Sequence, residues 1–289
     1  MKELKELRRN YENTPIPEEL DTIIQQAFQN KKNKKPNQFV KWGFGAVAAI
    51  TLFIGGLNVS PAMANHLSTI PIVGDIVKVL TFTYKVDEGT YQANIDVPTI
   101  EGLENKELEH WLNDKYLEES KQLFTEFNEE IEMLKKEGGG HLGIDSGFEV
   151  KTNNEQILSI GRYVVNTVGS SSTTVKYDNV DKQNQLLITL PSLFKDEQYV
   201  DIISENIIAQ MTKQMELDSE KVFFMNEDNF GGVDFEKIDK NQNFYITDEG
   251  KLVICFDKYE VAPGYMGLIE FEIPTEVLAD ILVSQGYIR

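Results

Sequence analysis

The run from Trp42 to Val59 constrains this chain more than any other stretch: eighteen residues without a charged side chain, between Lys41 and the helix-breaking Ser60-Pro61. At 1.5 Å per residue an α-helix of that length reaches roughly 27 Å, close to the hydrocarbon thickness of a bilayer. A buried core helix is also apolar, but core helices seldom lack every charge over such a length. The flanks favour a span, because Lys31, Lys32, Lys34, Lys35 and Lys41 precede it as the basic excess expected on the cytoplasmic side. Residues 41–59 are therefore expected to form a transmembrane signal-anchor helix in the cell membrane, single-pass, with the N-terminus cytoplasmic and the C-terminal part extracellular. Directly after it, Ala62-Met63-Ala64 carries the A-x-A pattern that signal peptidase reads, so Ala62, Ala64 and Asn65 mark a candidate scissile bond. A removable leader has an apolar run of about 7–15 residues behind a short basic head, whereas forty-one residues precede this one.

Charge divides along the same boundary. Residues 1–41 carry nine Lys/Arg and six Asp/Glu, while residues 60–289 carry nineteen Lys/Arg and forty-one Asp/Glu. So acidic a surface speaks against direct binding of nucleic acid, whose phosphates need a basic footprint. It suits a basic protein partner, or simply solubility. Cys255 stands alone in the apolar run Leu252 to Phe256, so no internal disulfide is available and the outer part must be held by its core.

Ahead of the span, Pro17-Glu18-Glu19 opens a helix whose Leu20, Ile23, Ile24 and Phe28 fall on one face. About forty residues cannot bury enough surface to fold alone, so the stripe reads as a docking face for another protein or as a weakly helical leader. Residues 60–82 form a juxtamembrane segment, and 83–289 an extracellular domain with an approximate subdivision near 183. There, Phe82 to Val97 reads as one or two strands and Asn105 to Lys136 as a long helix with Leu108, Leu112, Tyr116, Phe124, Phe127, Ile131 and Leu134 on one face. The segments Phe148-Glu149-Val150, Ile157 to Thr167, Thr173 to Val180 and Leu186 to Leu190 read as an antiparallel meander broken by turn clusters. A helix from Tyr199 to Leu217, a hairpin joining Phe244-Tyr245-Ile246 to Leu252–Phe256, a strand from Leu268 to Ile273 and a last helix from Pro274 to Val283 complete the pattern. Segregated strands and helices point to an α+β fold, an antiparallel sheet with a long helix and shorter ones.

No catalytic constellation is present in the sequence. His66, His110 and His141 lack partners at metal-ligand spacing, and pairs such as Glu118/Glu119 read as solvated charge. Binding rather than catalysis is expected, with no cofactor and no metal. Two outer segments look like contact elements. One is the loop from Asp257 to Gly267, in which Pro263-Gly264 favours a tight turn and presents Tyr265; the other is the serine-rich turn Gly169, Ser170, Ser171, Ser172, Thr173. Both are equally readable as plain structural turns.

The Pro17-Glu18-Glu19-Leu20 helix, the span followed by Ala62-Met63-Ala64, the segment Ile70-Pro71-Ile72-Val73-Gly74 and the outer run through Tyr259–Tyr265 to Phe271-Glu272-Ile273-Pro274 together resemble the RsiV anti-sigma factor family of Gram-positive bacteria. The outer domain alone also looks like the non-catalytic domain found ahead of some secreted peptidoglycan deacetylases. The anti-sigma resemblance implies that residues 1–40 bind an extracytoplasmic-function sigma factor, sigma-V, through Leu20, Ile23, Ile24 and Phe28, and that the outer domain is a receptor for lysozyme. It further implies cutting after Ala64 by signal peptidase, then within the span by a site-2 protease. By resemblance the lysozyme contacts fall on Pro263, Gly264 and Tyr265 and on Ser170 to Thr173. The competing reading is a membrane-tethered cell-wall or envelope-stress binding protein without a sigma partner.

Overall fold

Along Tyr91–Glu101 every second side chain turns inward as far as Val97, so Tyr91, Ala93, Ile95 and Val97 are buried while Gln92, Asn94 and Asp96 are not. That period of two makes a strand with one covered face. In the computed structural model, which describes residues 68–69, 78–225 and 234–289, this strand is β3 of a seven-stranded sheet. Its companions are β1 (Ser68–Thr69), β2 (Lys78–Asp87), β4 (Leu142–Asn153), β5 (Ile157–Val168), β6 (Ser170–Asp181) and β7 (Leu186–Ile188), in spatial order from β1 to β7. A helix, α1 (Lys106–Lys136), joins β3 to β4. The described residues all belong to one unit, His66–Arg289. The span, the stripe Leu20–Phe28 and the candidate cleavage residues lie outside the described residues; among those described, no helix is long and apolar enough to cross a membrane.

The expected α1 is present and lies against β3, burying Leu112, Tyr116, Phe124, Phe127 and Ile131. Asn105 caps it by accepting from the backbone N–H groups of Glu107 and Leu108, each at 3.1 Å. Glu109 sits on the buried side, where its carboxylate accepts the N–H groups of Gly102 and Leu103 at 2.8 Å and meets the Lys106 ammonium at 2.9 Å. Asn113 holds the end of β3 by bonding both the N–H and the carbonyl of Ile100. Further along, Arg162 on β5 reaches both Asp178 on β6, at 3.0 Å, and Glu119 on α1. Its guanidinium lies 4.4 Å from the Tyr116 ring centroid, and Lys115 meets Asp178 at 2.7 Å. The helix is thus riveted to the meander by charge as well as by apolar contact.

The expected antiparallel sheet is corrected in two ways. First, β3 and β4 run parallel, with Tyr91 opposite Leu142 and Ile95 opposite Ser146, so the sheet is mixed. A parallel pair needs a long crossover, and α1 is that crossover. Second, β8 (Phe244–Ile246), β9 (Leu252–Phe256) and β10 (Ile269–Ile273) form a separate three-stranded sheet in the order β10-β9-β8. The α2 helix (Gln198–Leu217) buries Tyr199, Ile203, Ile207 and Met211 in one core with Ile254, Phe256, Phe271 and Ile273 of this sheet and Ile157 and Ile188 of the first. The last helix, expected to reach Val283, is the single turn α3 (Thr275–Leu278). Its continuation is taken over by the segment after β7: Lys195 N–H donates to the Ile281 carbonyl and Val283 N–H to that of Leu193, both at 2.9 Å. The architecture remains α+β.

Arg162→Met would leave Asp178 with Lys115 and Glu119 with Lys176 as their counter-charges, so the loss is that of charged hydrogen bonds rather than of an orphaned charge. The free energy of unfolding is expected to fall by about 2 kcal/mol in urea titrations. A second outcome concerns pH. Burial raises the Asp181 carboxyl pKa, but hydrogen bonds from the Tyr287 hydroxyl, the Asn184 amide and the N–H groups of Asn184 and Gln183 outweigh it and hold it below its ordinary value. The stabilisation is present above about pH 4, the unfolded pKa, and is lost as pH falls through the depressed folded one. Unfolding measured between pH 6 and pH 2 should show a smaller acid loss in Asp181→Asn than in the native chain.

Candidate functional site

Strand β7 pairs only with Asn179–Asp181, which leaves the outer edge of β6 from Ser171 to Tyr177 without a strand beside it. Open edge N–H and C=O groups must find other partners. The side of the molecule built by the second sheet supplies them residue by residue. Asn243 bonds the Val175 carbonyl at 2.8 Å and accepts from the Tyr177 N–H at 3.3 Å. The Asp257 carboxylate accepts from the Val175 N–H at 2.7 Å, and burial pushes the pKa of this carboxyl up against that bond. Lys258 N–H donates to the Thr173 carbonyl at 3.0 Å, and its ammonium to the Ser171 carbonyl and hydroxyl at 2.6 and 2.9 Å.

Asp257 and Lys258 begin the loop that leads from β9 to β10, and its turns are held from within. Asp257 N–H donates to the Glu260 carboxylate at 2.7 Å, and Gln242 holds the other Glu260 oxygen at 3.0 Å. Val261 and Ala262 are buried, and Phe224 N–H donates to the Val261 carbonyl at 2.9 Å. Pro263 is extended, after which Gly264–Met266 form one 3-10 turn closed by Met266 N–H on the Pro263 carbonyl. The result is a knuckle with a buried root and an aromatic crown: Tyr265 is 68% exposed and Tyr259 48%. The Tyr265 hydroxyl donates to the Glu220 carbonyl at 2.8 Å, which fixes the ring along an open groove of about 400 Å³. Phe223, Met266 and Leu268 line the groove, with Asp218, Glu220 and Glu270 among its charged residues.

The two expected contact elements are thus brought together. Pro263, Gly264 and Tyr265 form the knuckle, as the proline-glycine pair suggested. The serine-rich segment needs correction: it is not a turn. Gly169 alone reverses the chain at φ 77°, a value that suits glycine, and Ser170 to Thr173 are the first residues of β6, paired with Val168 to Val165. Sequence reasoning placed Asp257 and Lys258 in a contact loop but missed Asn243, and missed that the side chains of all three stand in for a neighbouring strand. Cys255 is a buried thiol in β9, and among the described histidines His110 and His141 are exposed. Among the described residues there is no group of three or more His, Cys, Asp or Glu able to hold a metal ion.

A family model described as a protein of unknown function, DUF3298, matches residues 191–276, the stretch that carries α2, the second sheet and the knuckle. A protein of Bacillus subtilis (strain 168) named anti-sigma-V factor RsiV is 45% identical over 291 residues, covering 100% of this chain and 99% of that one. Among solved structures, a DUF3298-family member from Bacteroides fragilis NCTC 9343 superposes with a TM-score of 0.50 at 14% identity, covering 76% of this chain and 94% of that one. A DUF3298-family protein from Pseudomonas aeruginosa PAO1 gives 0.47 at 13% identity, over 72% and 94%. At such identities the Bacteroides likeness speaks for the fold alone.

The knuckle has no room for a side chain at position 264, since a Cβ there would lie 2.2 Å from the Tyr259 ring. Gly264→Ala must push that ring aside, and because the ring is the outer end of a half-exposed side chain the expected result is a loss of less than about 1 kcal/mol in denaturant unfolding.

Proposed function

The chain belongs to the RsiV anti-sigma factor family, and from that premise we propose that it is a membrane-bound anti-sigma factor released by regulated proteolysis. Residues 1–40 sequester an extracytoplasmic-function sigma factor, sigma-V, through Leu20, Ile23, Ile24 and Phe28. The segment 41–59 anchors the chain, and the outer domain binds lysozyme. Binding makes the bond after Ala64 available to signal peptidase, and a site-2 protease then cuts within the span. Gly43, Gly45, Gly55 and Gly56 weaken a helix there and favour its opening.

The observation that carries this reading is the 45% identity to an anti-sigma factor along the whole chain, inner segment included. The geometry lends support on the outer side. The knuckle offers an exposed tyrosine on a rigid base, the combination that makes interface anchors. Strand β6 places Ser170 to Thr173 beside the same loop. The excess of acidic residues in 60–289 would steer a basic protein such as lysozyme toward the outer domain as a whole.

Immunoblots of cells with and without lysozyme test the whole sequence of events. Full-length protein at rest and a shortened form on exposure are expected, and Ala64→Trp should abolish the shortening. Cleavage that never changes would leave a plain secretory leader, and no cleavage at all a tethered binding protein. In calorimetry Tyr265→Ala should weaken lysozyme binding at least tenfold, the loss typical of an anchor residue; unchanged affinity in both Tyr265→Ala and Pro263→Ala removes the knuckle from the contact.

A further inference from the structure

Tyr259 is one of two described non-glycine residues with positive φ, at 76°. A bulky side chain rarely adopts that conformation, which persists only where its surroundings over-determine it. The turn Asp257–Glu260, closed by the Glu260 N–H on the Asp257 carbonyl at 3.1 Å, sets the backbone there, and two neighbours hold the ring. The ring covers the backbone of Gly264, where the space of an absent Cβ is filled by the ring carbons and hydroxyl of Tyr259. From its own side, the Lys258 ammonium stands 5.1 Å from the ring centroid. That same ammonium bonds the carbonyl and hydroxyl of Ser171, and Lys258 N–H bonds the Thr173 carbonyl. One lysine therefore touches the start of β6 and, through Tyr259, the turn that carries Tyr265.

We propose that Lys258 and Tyr259 are positioning residues that bind the Ser170–Thr173 strand and the Pro263–Tyr265 knuckle into one pre-ordered contact face for a protein partner. The proposal deepens the lysozyme reading and rests on it for the identity of that partner. The backbone strain at Tyr259 is the mark of the arrangement: a glycine would relieve it, yet would lose the ring that sets Gly264 and shields Lys258. Pre-ordering removes from the binding step the entropy cost of arranging two loops. Tyr259 acts through its ring, so a phenylalanine serves in its place, whereas the lysine needs its charge.

The test uses the full-length protein with Tyr259→Gly, Tyr259→Phe and Lys258→Met. Hydrogen exchange in the absence of any partner reads the coupling: Tyr259→Gly and Lys258→Met should each speed exchange in both 171–175 and 257–267, while Tyr259→Phe stays native. Affinity for lysozyme, by calorimetry, should fall at least tenfold in the first two and be kept in the third. The thermal midpoint of Tyr259→Gly should be unchanged or raised, because strain is relieved, which separates positioning from a general loss of stability. Exchange confined to the mutated loop, or native affinity in Tyr259→Gly, overturns the proposal. Failure of the native protein to bind lysozyme, with the coupled exchange intact, overturns only the identity of the partner.

Discussion

The outer edge of β6 is the constraint on which the arrangement of the described domain depends. An edge strand is an open row of donors and acceptors, and the usual remedies are a neighbouring strand, a bulge or a covering element. Here the remedy is a set of side chains: Asn243 answers a donor and an acceptor together, Asp257 answers a donor, and Lys258 answers acceptors with both its backbone and its ammonium. Each match is worth on the order of 1 kcal/mol, but leaving any one group buried without a partner costs more. The second sheet is thereby held at one register against the first, and the loop following β9 is fixed where its crown faces outward.

Two other ties act in the same sense. Asn179 of β6 donates to the Phe244 carbonyl at 2.9 Å, and Thr152 of β4 to that of Ile246 at 2.5 Å. At the chain's end, Tyr287 bonds Asp181, and Arg289 N–H donates to the Gly250 carbonyl at 3.0 Å. The apolar core supplies most of the stabilisation, since burial is non-directional and scales with area. The polar ties supply direction. Without them the same core would tolerate a sliding of one sheet across the other.

Much of this is legible in the sequence, and the exceptions have physical causes. The apolar stripe of α1, the hairpin from Phe244 to Phe256 and the helix from Gln198 to Leu217 follow local periodicity, which survives folding when both faces keep their roles. Parallel pairing of β3 with β4 has no local signature, because the partners are separated by α1. The glycine and serines of 169–172 carry turn propensity, and only the pairing of Ser170–Thr173 with Val165–Val168 turns the serines into strand. Pro274 starts a helix as expected, but Ile281 and Val283 find better partners at Lys195 and Leu193 after one turn. Glu109 in an apolar stripe and Asn243 or Asp257 on an edge look like ordinary surface residues until the backbone groups they serve are in place. The knuckle was readable because proline fixes its own φ and the glycine after it admits a tight turn; the contact of its loop with β6 through Lys258 was not.

The mixed sheet also orders events during synthesis. A ribosome delivers β2 and β3 early, yet the second edge of β3 stays unfilled until Leu142 has been made, and the edge of β6 waits for Asn243 and Lys258. Pairings that close so late are slow and leave strands exposed while the nascent chain grows. A chain stalled after Ile188 would carry the meander with the Ser171–Tyr177 border of β6 uncovered, so the same side chains that finish the fold also end the period in which that border is open to other copies of the chain.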